Sequence, residues 1–158
     1  MKNSFIPVRN TFTTAIQALG YAVYDRARKI KDYPHVIIGE QSEVQDGDQG
    51  AFGQLSTINV EVYNGWNSDY GSRDTSDTIV NAIQGLITKP HTLVIAGFDA
   101  PMQVIDNIMT STEQTATQTV VTTVIRFKLH LFENDTITYI TNDVGEYVTD
   151  DAGNFLIR

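Results

Sequence analysis

Three groups of side chains in this sequence carry the chemistry needed for catalysis, metal ligation or anion binding. They are the histidines His35, His91 and His130, the carboxylates Glu40, Glu43, Asp46 and Asp48, and the cations Arg26, Arg28, Lys29 and Lys31. Imidazoles ligate transition metals when several converge. These three lie in separate segments with no His-Glu-x-x-His pair, so each reads as a single satisfied or exposed histidine. The carboxylates offer oxygen ligands for Ca²⁺ or Mg²⁺, or a pair for acid–base work. Asp46-Gly47-Asp48 lacks the distal bidentate glutamate of an EF-hand loop, and a solvated acidic segment explains the same residues. The four cations suit phosphate, but no aromatic residues interleave with them to stack on bases, and a solvated or intersubunit surface is the alternative.

The other motifs for chemistry are missing from the sequence. Gly47-x-x-Gly50-x-x-Gly53 precedes a strand pattern instead of opening a helix, the wrong order for a dinucleotide-binding turn. No serine sits in a Gly-x-Ser-x-Gly elbow, and no Gly-x-x-x-x-Gly-Lys-Ser/Thr cradle is present. The chain has no cysteine, which excludes disulfides, thiolate zinc sites, iron–sulfur clusters and cysteine nucleophiles. The expectation is a protein that is not an enzyme, with no cofactor and no metal. A small metal-dependent hydrolase built on the acidic segment is the alternative from another class.

The elements that must position these residues follow from apolar periodicity. Val8, Phe12, Ala15, Ile16 and Leu19 form one face of a helix over residues 7–19, with Pro7 in its first turn and Gly20 as a left-handed stop. Tyr21 to Tyr24 reads as a short strand leading to the basic segment. Tyr33 to Glu40 reads as a second strand, whose Val36-Ile37-Ile38 run predicts cover on both faces. Residues 41–53, polar and acidic with three glycines, read as a long loop. Thr57 to Tyr63 alternates as a half-buried strand, with Ile58, Val60 and Val62 inward. A turn containing Gly65, Trp66 and Gly71 leads to a second helix over residues 74–88. Its stripe is Ile79, Ile83, Leu86 and Ile87, and Asp74 and Asp77 favour its positive end. Leu93 to Ile95, Met102 to Met109 and Thr119 to Phe132 complete the strands, with a polar turn over residues 110–118. The order predicts an α+β fold: a mixed, mainly antiparallel sheet packed by two helices.

At 158 residues, 41% hydrophobic and 19% charged, the sequence has enough chain for one substantial core. Its net charge of −8 argues against a protein whose main work is neutralising nucleic-acid phosphates or anionic lipid. That charge is segregated. Residues 1–31 carry six basic groups and one acid; residues 32–77 carry nine acids and only Arg73; residues 78–132 are balanced; residues 133–158 carry six acids and only Arg158. Opposite patches on one chain suit a head-to-tail contact between identical subunits, with a solvated surface as the alternative. No apolar run approaches the roughly 18–20 residues of a membrane span, and the first residues have no secretory-signal pattern, so assembly in the cytosol without a membrane partner is expected.

The last segment repeats itself. Tyr139-Ile140-Thr141-Asn142-Asp143-Val144-Gly145-Glu146 aligns with Tyr147-Val148-Thr149-Asp150-Asp151-Ala152-Gly153-Asn154, and Phe155-Leu156-Ile157 begins a third copy. An aromatic and β-branched strand followed by an Asp-x-Gly turn is the pattern of a β-meander. The division expected is a domain over residues 1–132 and a C-terminal β-meander extension over residues 133–158. Three such strands are marginal alone, so the extension is expected to pack on the domain or a neighbour, with an acidic disordered tail as the alternative.

Several ordered features together resemble the tail-completion (tail terminator) proteins of long-tailed bacteriophages. They are the amphipathic first helix, Ala22-Val23-Tyr24-Asp25 before a basic segment, and Tyr33-Pro34-His35-Val36-Ile37-Ile38-Gly39-Glu40. Ile58-Asn59-Val60-Glu61-Val62-Tyr63, the helix ending near Ile87 and the closing strand from Val124 to Phe132 continue the match, which covers about residues 7–132. The Tyr-Pro-x-Val-x-x-Gly-Glu segment is its most specific piece, and the Asp-x-Gly meander falls outside it. The resemblance implies an α+β structural virion protein forming a six-fold ring that ends the tail tube and joins it to the head or neck. Its partners would be further copies of itself, the tail-tube protein, a head–tail connector or stopper protein, and genomic DNA that passes through without specific binding. It implies a place in the virion tail or neck after assembly in the host cytoplasm; another connector or neck protein is the alternative within the same class. In such a ring Arg26, Arg28, Lys29 and Lys31 become subunit-interface candidates, and Glu43, Asp46 and Asp48 lumen- or tube-facing candidates.

Overall fold

Asn3 and Ser4 set the start of α1 (Phe5–Ala18). The Asn3 side-chain oxygen accepts the Phe5 N–H at 2.8 Å, and the Ser4 carbonyl accepts the Val8 N–H at 2.9 Å. Pro7 lies in the first turn, where an N–H has no intrahelical partner. Gly20, at φ +90°, ends the helix in a conformation that disfavours any residue with a Cβ. The computed structural model describes residues 2–25, 32–48, 51–67, 71–87 and 93–134.

The other elements are β1 (Val23–Tyr24), β2 (His35–Asp48), β3 (Ala51–Asn67), α2 (Asp74–Gly85), β4 (Phe98–Gln114) and β5 (Gln118–Glu133). They form a five-stranded sheet in the order β1-β2-β3-β5-β4. Only β1 and β2 run parallel; the other pairs are antiparallel, so the sheet is mixed and mainly antiparallel as expected. Both helices pack on the same face. Val8, Phe12 and Ile16 of α1 and Ile79, Val80 and Ile83 of α2 join one core with Val36, Ile38, Ile58, Val60, Val62, Ile125, Phe127, Leu129 and Leu131. Phe12 meets Phe127 with ring centroids 4.9 Å apart, fixing α1 over the middle of β5. Val36, Ile37 and Ile38 are all buried, which bears out the two-sided cover read from that run. Leu19 falls just beyond the helix end and is 39% exposed, at the margin of the stripe it was expected to extend.

Residues 41–48 and 51–53, read as loop from the sequence, are strand. β2 continues to Asp48 and β3 starts at Ala51, with a regular register from Gln41 opposite Ile58 to Asp48 opposite Ala51. The segment has weak strand propensity of its own. Its order comes from β3, which β5 holds on its other side, and tertiary pairing overrides local composition. Gly39 and Glu40 form a bulge opposite Asn59. A Cβ on Gly39 would come 2.6 Å from a Glu61 carboxylate oxygen, so a larger residue there would displace the end of the Glu61 side chain.

Four other boundaries move, the first two for the same reason. The expected turn at Gly65 and Trp66 is strand, because both residues pair with β5 at Val120 and Thr119. β4 and β5 outrun their apolar cores, leaving a tight turn in which Thr115 and Gln118 bond to each other through backbone and side chain. The expected strand at Leu93 to Ile95 reduces to a single bridge between Ile95 and Phe98, turned by Gly97 at φ +81°. The second helix ends at Gly85, three residues before the expected end, with Leu86 and Ile87 still packed partly against the core. The meander expected over residues 133–158 lies outside the described residues beyond Asn134.

Candidate assembly surfaces

Strand alternation fixes what the sheet presents on the side without helices. Along β5 the odd-numbered residues point into the core, so Arg126, Lys128 and His130 form a row on the opposite face at a spacing of about 7 Å. Across from them on β3 stand Asn59, Thr57 and Leu55, and on β4 stand Asn107, Val104 and Met102. Asp106 reaches Arg126 at 3.8 Å, and both side chains are nearly half exposed, which makes the pair weak. His130 lies against Phe132 with centroids 4.7 Å apart. The same face exposes Val44, Met102, Val104 and Met109, so it combines apolar side chains with the cations Arg126 and Lys128. No helix among the described residues covers it.

A second cluster sits where β2 begins. The His35 ring is sandwiched between Tyr33 and Tyr63 at 5.3 and 5.2 Å, and Tyr24 meets it edge-on at 6.1 Å. His35 Nδ1–H donates to the Asp32 carbonyl at 2.9 Å. The Tyr33 ring lies over Gly65, where a Cβ would come within 2.7 Å of it. The Tyr63 hydroxyl donates to a Glu61 carboxylate oxygen at 2.7 Å. Burial, followed by that hydrogen bond and the Glu61 charge, pushes the Tyr63 phenol up to about 12. This stack anchors the chain as it leaves the basic segment and enters the sheet.

The sequence-stated site residues divide between described and undescribed parts of the chain. Arg26, Arg28, Lys29 and Lys31 lie outside the described residues; of their flanks, Asp25 directly follows β1 and Asp32 lies three residues before β2. Glu43, Asp46 and Asp48 lie in β2 and not on a loop, opposite Ser56, Gly53 and Ala51. Glu43 and Gln45 border a shallow hollow with Lys2 and Asn3. His91 lies outside the described residues, and His35 and His130 are held in separate aromatic contacts. Among the described residues no group of three or more His, Asp or Glu side chains is placed to hold a metal ion. No helix among them is long and apolar enough to cross a membrane.

Sequence reasoning missed the helix-free face as a surface. The signal was the alternation of Arg126, Lys128 and His130 with the core residues of β5, which states the face but not that it lacks a covering layer.

The fold matches a virion protein. The similar chain belongs to a solved structure described as the virion of a native gene transfer agent particle. The TM-score is 0.53 at 15% sequence identity, over 80% of this chain and 91% of that one. At that identity the likeness speaks for the fold. No protein-family model matches the chain, and no curated protein does.

Proposed function

We propose that this protein is a structural subunit of a phage-like virion, and that its copies close into a ring, six-fold by the sequence resemblance, which ends the tail tube and joins it to the head or neck. The observation that carries the reading is the fold match to a chain of a gene transfer agent virion, which spans 91% of that chain. The one-sided sheet supports it independently. A domain with one helix-covered face and one mixed cationic and apolar face presents the kind of surface that a neighbouring subunit covers.

In this reading the basic segment with Arg26, Arg28, Lys29 and Lys31 meets an acidic region of the next copy, a heterologous contact of the kind that closes rings. The β2–β3 hairpin with Glu43, Asp46 and Asp48 faces the lumen or the tube rim, where like charge keeps passing DNA from adhering. The tube protein, a connector or stopper protein and further copies of this chain are the partners, and the reading assigns no catalytic residue and no cofactor. The same fold match supports a neighbouring connector or neck position in the same particle.

Native mass spectrometry and negative-stain images of the chain, alone and with its tail-tube protein, test the proposal. A closed ring seated on tube ends is expected. Tube ends left bare beside a monomeric chain refute it, and a ring bound to the head vertex but not to the tube selects the connector position.

A further inference from the structure

A second apolar surface lies on the outer side of α1. Ile6, Ala15 and Ala18 form one wall, Leu93, Val94 and Ala96 the other, and together they bound a groove of about 500 Å³. No charged residue lines it. Ile6 is 70% exposed and Val94 83%, so each wall of the groove presents an apolar side chain to solvent. Thr11 Oγ1 donates to the Val94 carbonyl at 3.3 Å and ties the two walls together.

The place where the chain leaves β5 points to what fills this groove. The Asn134 N–H donates to the Gly97 carbonyl at 3.0 Å, one residue beyond Ala96 of the second wall. Lys2, four residues before Ile6 of the first wall, bonds to the Glu133 carboxylate through its backbone N–H and to the Asn134 carbonyl through Nζ at 3.2 Å. The last described residue is therefore held between the chain segments that lead into both walls. Twenty-four residues follow it, 135–158. Their only run of three consecutive apolar side chains is Phe155-Leu156-Ile157; the equivalent positions of the earlier repeats read Tyr-Ile-Thr and Tyr-Val-Thr.

We infer that the groove between α1 and residues 93–96 is the docking site for the C-terminal segment of the same chain, with Phe155, Leu156 and Ile157 as the anchoring side chains. Reach is not limiting. The residues between Asn134 and Phe155 span up to roughly 70 Å when extended, against about 21 Å for the whole of α1. Tethering at Asn134 raises the local concentration of the segment into the millimolar range. The groove lacks charge, and so does the stretch over residues 152–157 that holds the three anchoring side chains. The inference is independent of the ring reading, because a tail folded back on its own domain serves any partner arrangement.

The absence of cysteine from the chain allows a clean test. In the full-length protein, Thr14→Cys on the groove side of α1 is combined with Leu156→Cys and compared with Met109→Cys plus Leu156→Cys, which places the first thiol on the helix-free face. Mild oxidation followed by intact mass and peptide mapping is expected to give an intrachain bond at least tenfold more often for the first pair. Equal yields from both pairs, no bond in either, or bonds that join two chains overturn the inference; the last outcome assigns the groove to the tail of a second copy. As a second measurement, Leu156→Asp in the otherwise native chain is expected to shift the methyl NMR signals of Ile6, Ala15 and Val94 while leaving those of Ile125 and Leu129 in place. Unmoved groove signals likewise overturn it.

Discussion

Phe127 and Lys128 are neighbours in the chain and point to opposite sides of the sheet, which makes them a direct test of its one-sidedness. Phe127 is fully buried, packed at a tilt against the Phe12 ring and surrounded by the core that joins both helices to the strands. Phe127→Ala removes a ring from a site closed by α1 and the flanking strands, so a cavity is left; such changes cost about 3–5 kcal/mol. Loss of the aromatic pair contributes ~0.5–1.5 kcal/mol within that total. For a domain of this length each kcal/mol corresponds to ~2–4 °C, so a drop in Tm of about 6–20 °C is expected. Lys128→Ala lies on the face without helices and should change stability by less than about 0.5 kcal/mol. Urea unfolding followed by far-UV circular dichroism measures both, with the slope of the transition checking that the two variants unfold from the same state. If Lys128→Ala destabilised as much as Phe127→Ala, a covering layer would exist on that face and the reasoning about an open surface would fail. A loss below about 1 kcal/mol for Phe127→Ala would remove Phe127 from the core.

The Tyr33–Gly65 approach predicts that Gly65→Ala costs about 1–3 kcal/mol by overpacking, and that Tyr33→Ala in the same chain cancels much of it; additive losses in a double-mutant cycle would refute the contact. Tyr63 holds its proton to about pH 12 in the folded chain, whereas an unfolded tyrosine releases it near pH 10. Its contribution to stability is therefore complete below pH 10 and is lost as pH rises toward 12, and Glu61→Gln should bring the phenolate absorbance transition back toward 10. An unchanged transition in that variant would separate Tyr63 from Glu61. Reversing Arg26, Arg28, Lys29 and Lys31 to glutamate together should abolish the ring, and an unaltered oligomer mass in native mass spectrometry would exclude the basic segment from the interface.

What the sequence made legible was the period of each element more than its extent. The 3.6-residue stripe of Val8, Phe12 and Ile16 and the two-residue alternation of Ile58, Val60 and Val62 both lead to buried residues in the expected order. The α+β class and the two helices on one sheet follow from these. Extents were hidden wherever a strand owes its order to its neighbour. Residues 41–48 have the composition of a loop and become strand because β3 offers a continuous row of backbone partners, and the polar residues 110–114 become strand because β5 does. The interface candidates were legible only as charge. Periodicity tells which way Arg126 and Lys128 point; whether another layer waits there depends on where the helices pack, which no single strand encodes.

The two outer strands of the sheet have a bearing on solubility. Beyond Ile37 no described strand pairs with the outer edge of β2, and none pairs with the outer edge of β4, so among the described residues two long rows of backbone donors and acceptors have no strand partner. Such rows invite indiscriminate strand addition. Both edges are guarded by sign: β2 has Glu40 and Glu43, β4 has Asp99, Asp106 and Glu113, and neither strand has Lys or Arg. Two copies approaching edge to edge bring acid against acid. Pro101 withholds one N–H from β4, and the bulges in both strands interrupt a straight template. This repulsion is expected to oppose fibrous strand addition, and the protection should weaken as salt screens the carboxylates or as acid neutralises them.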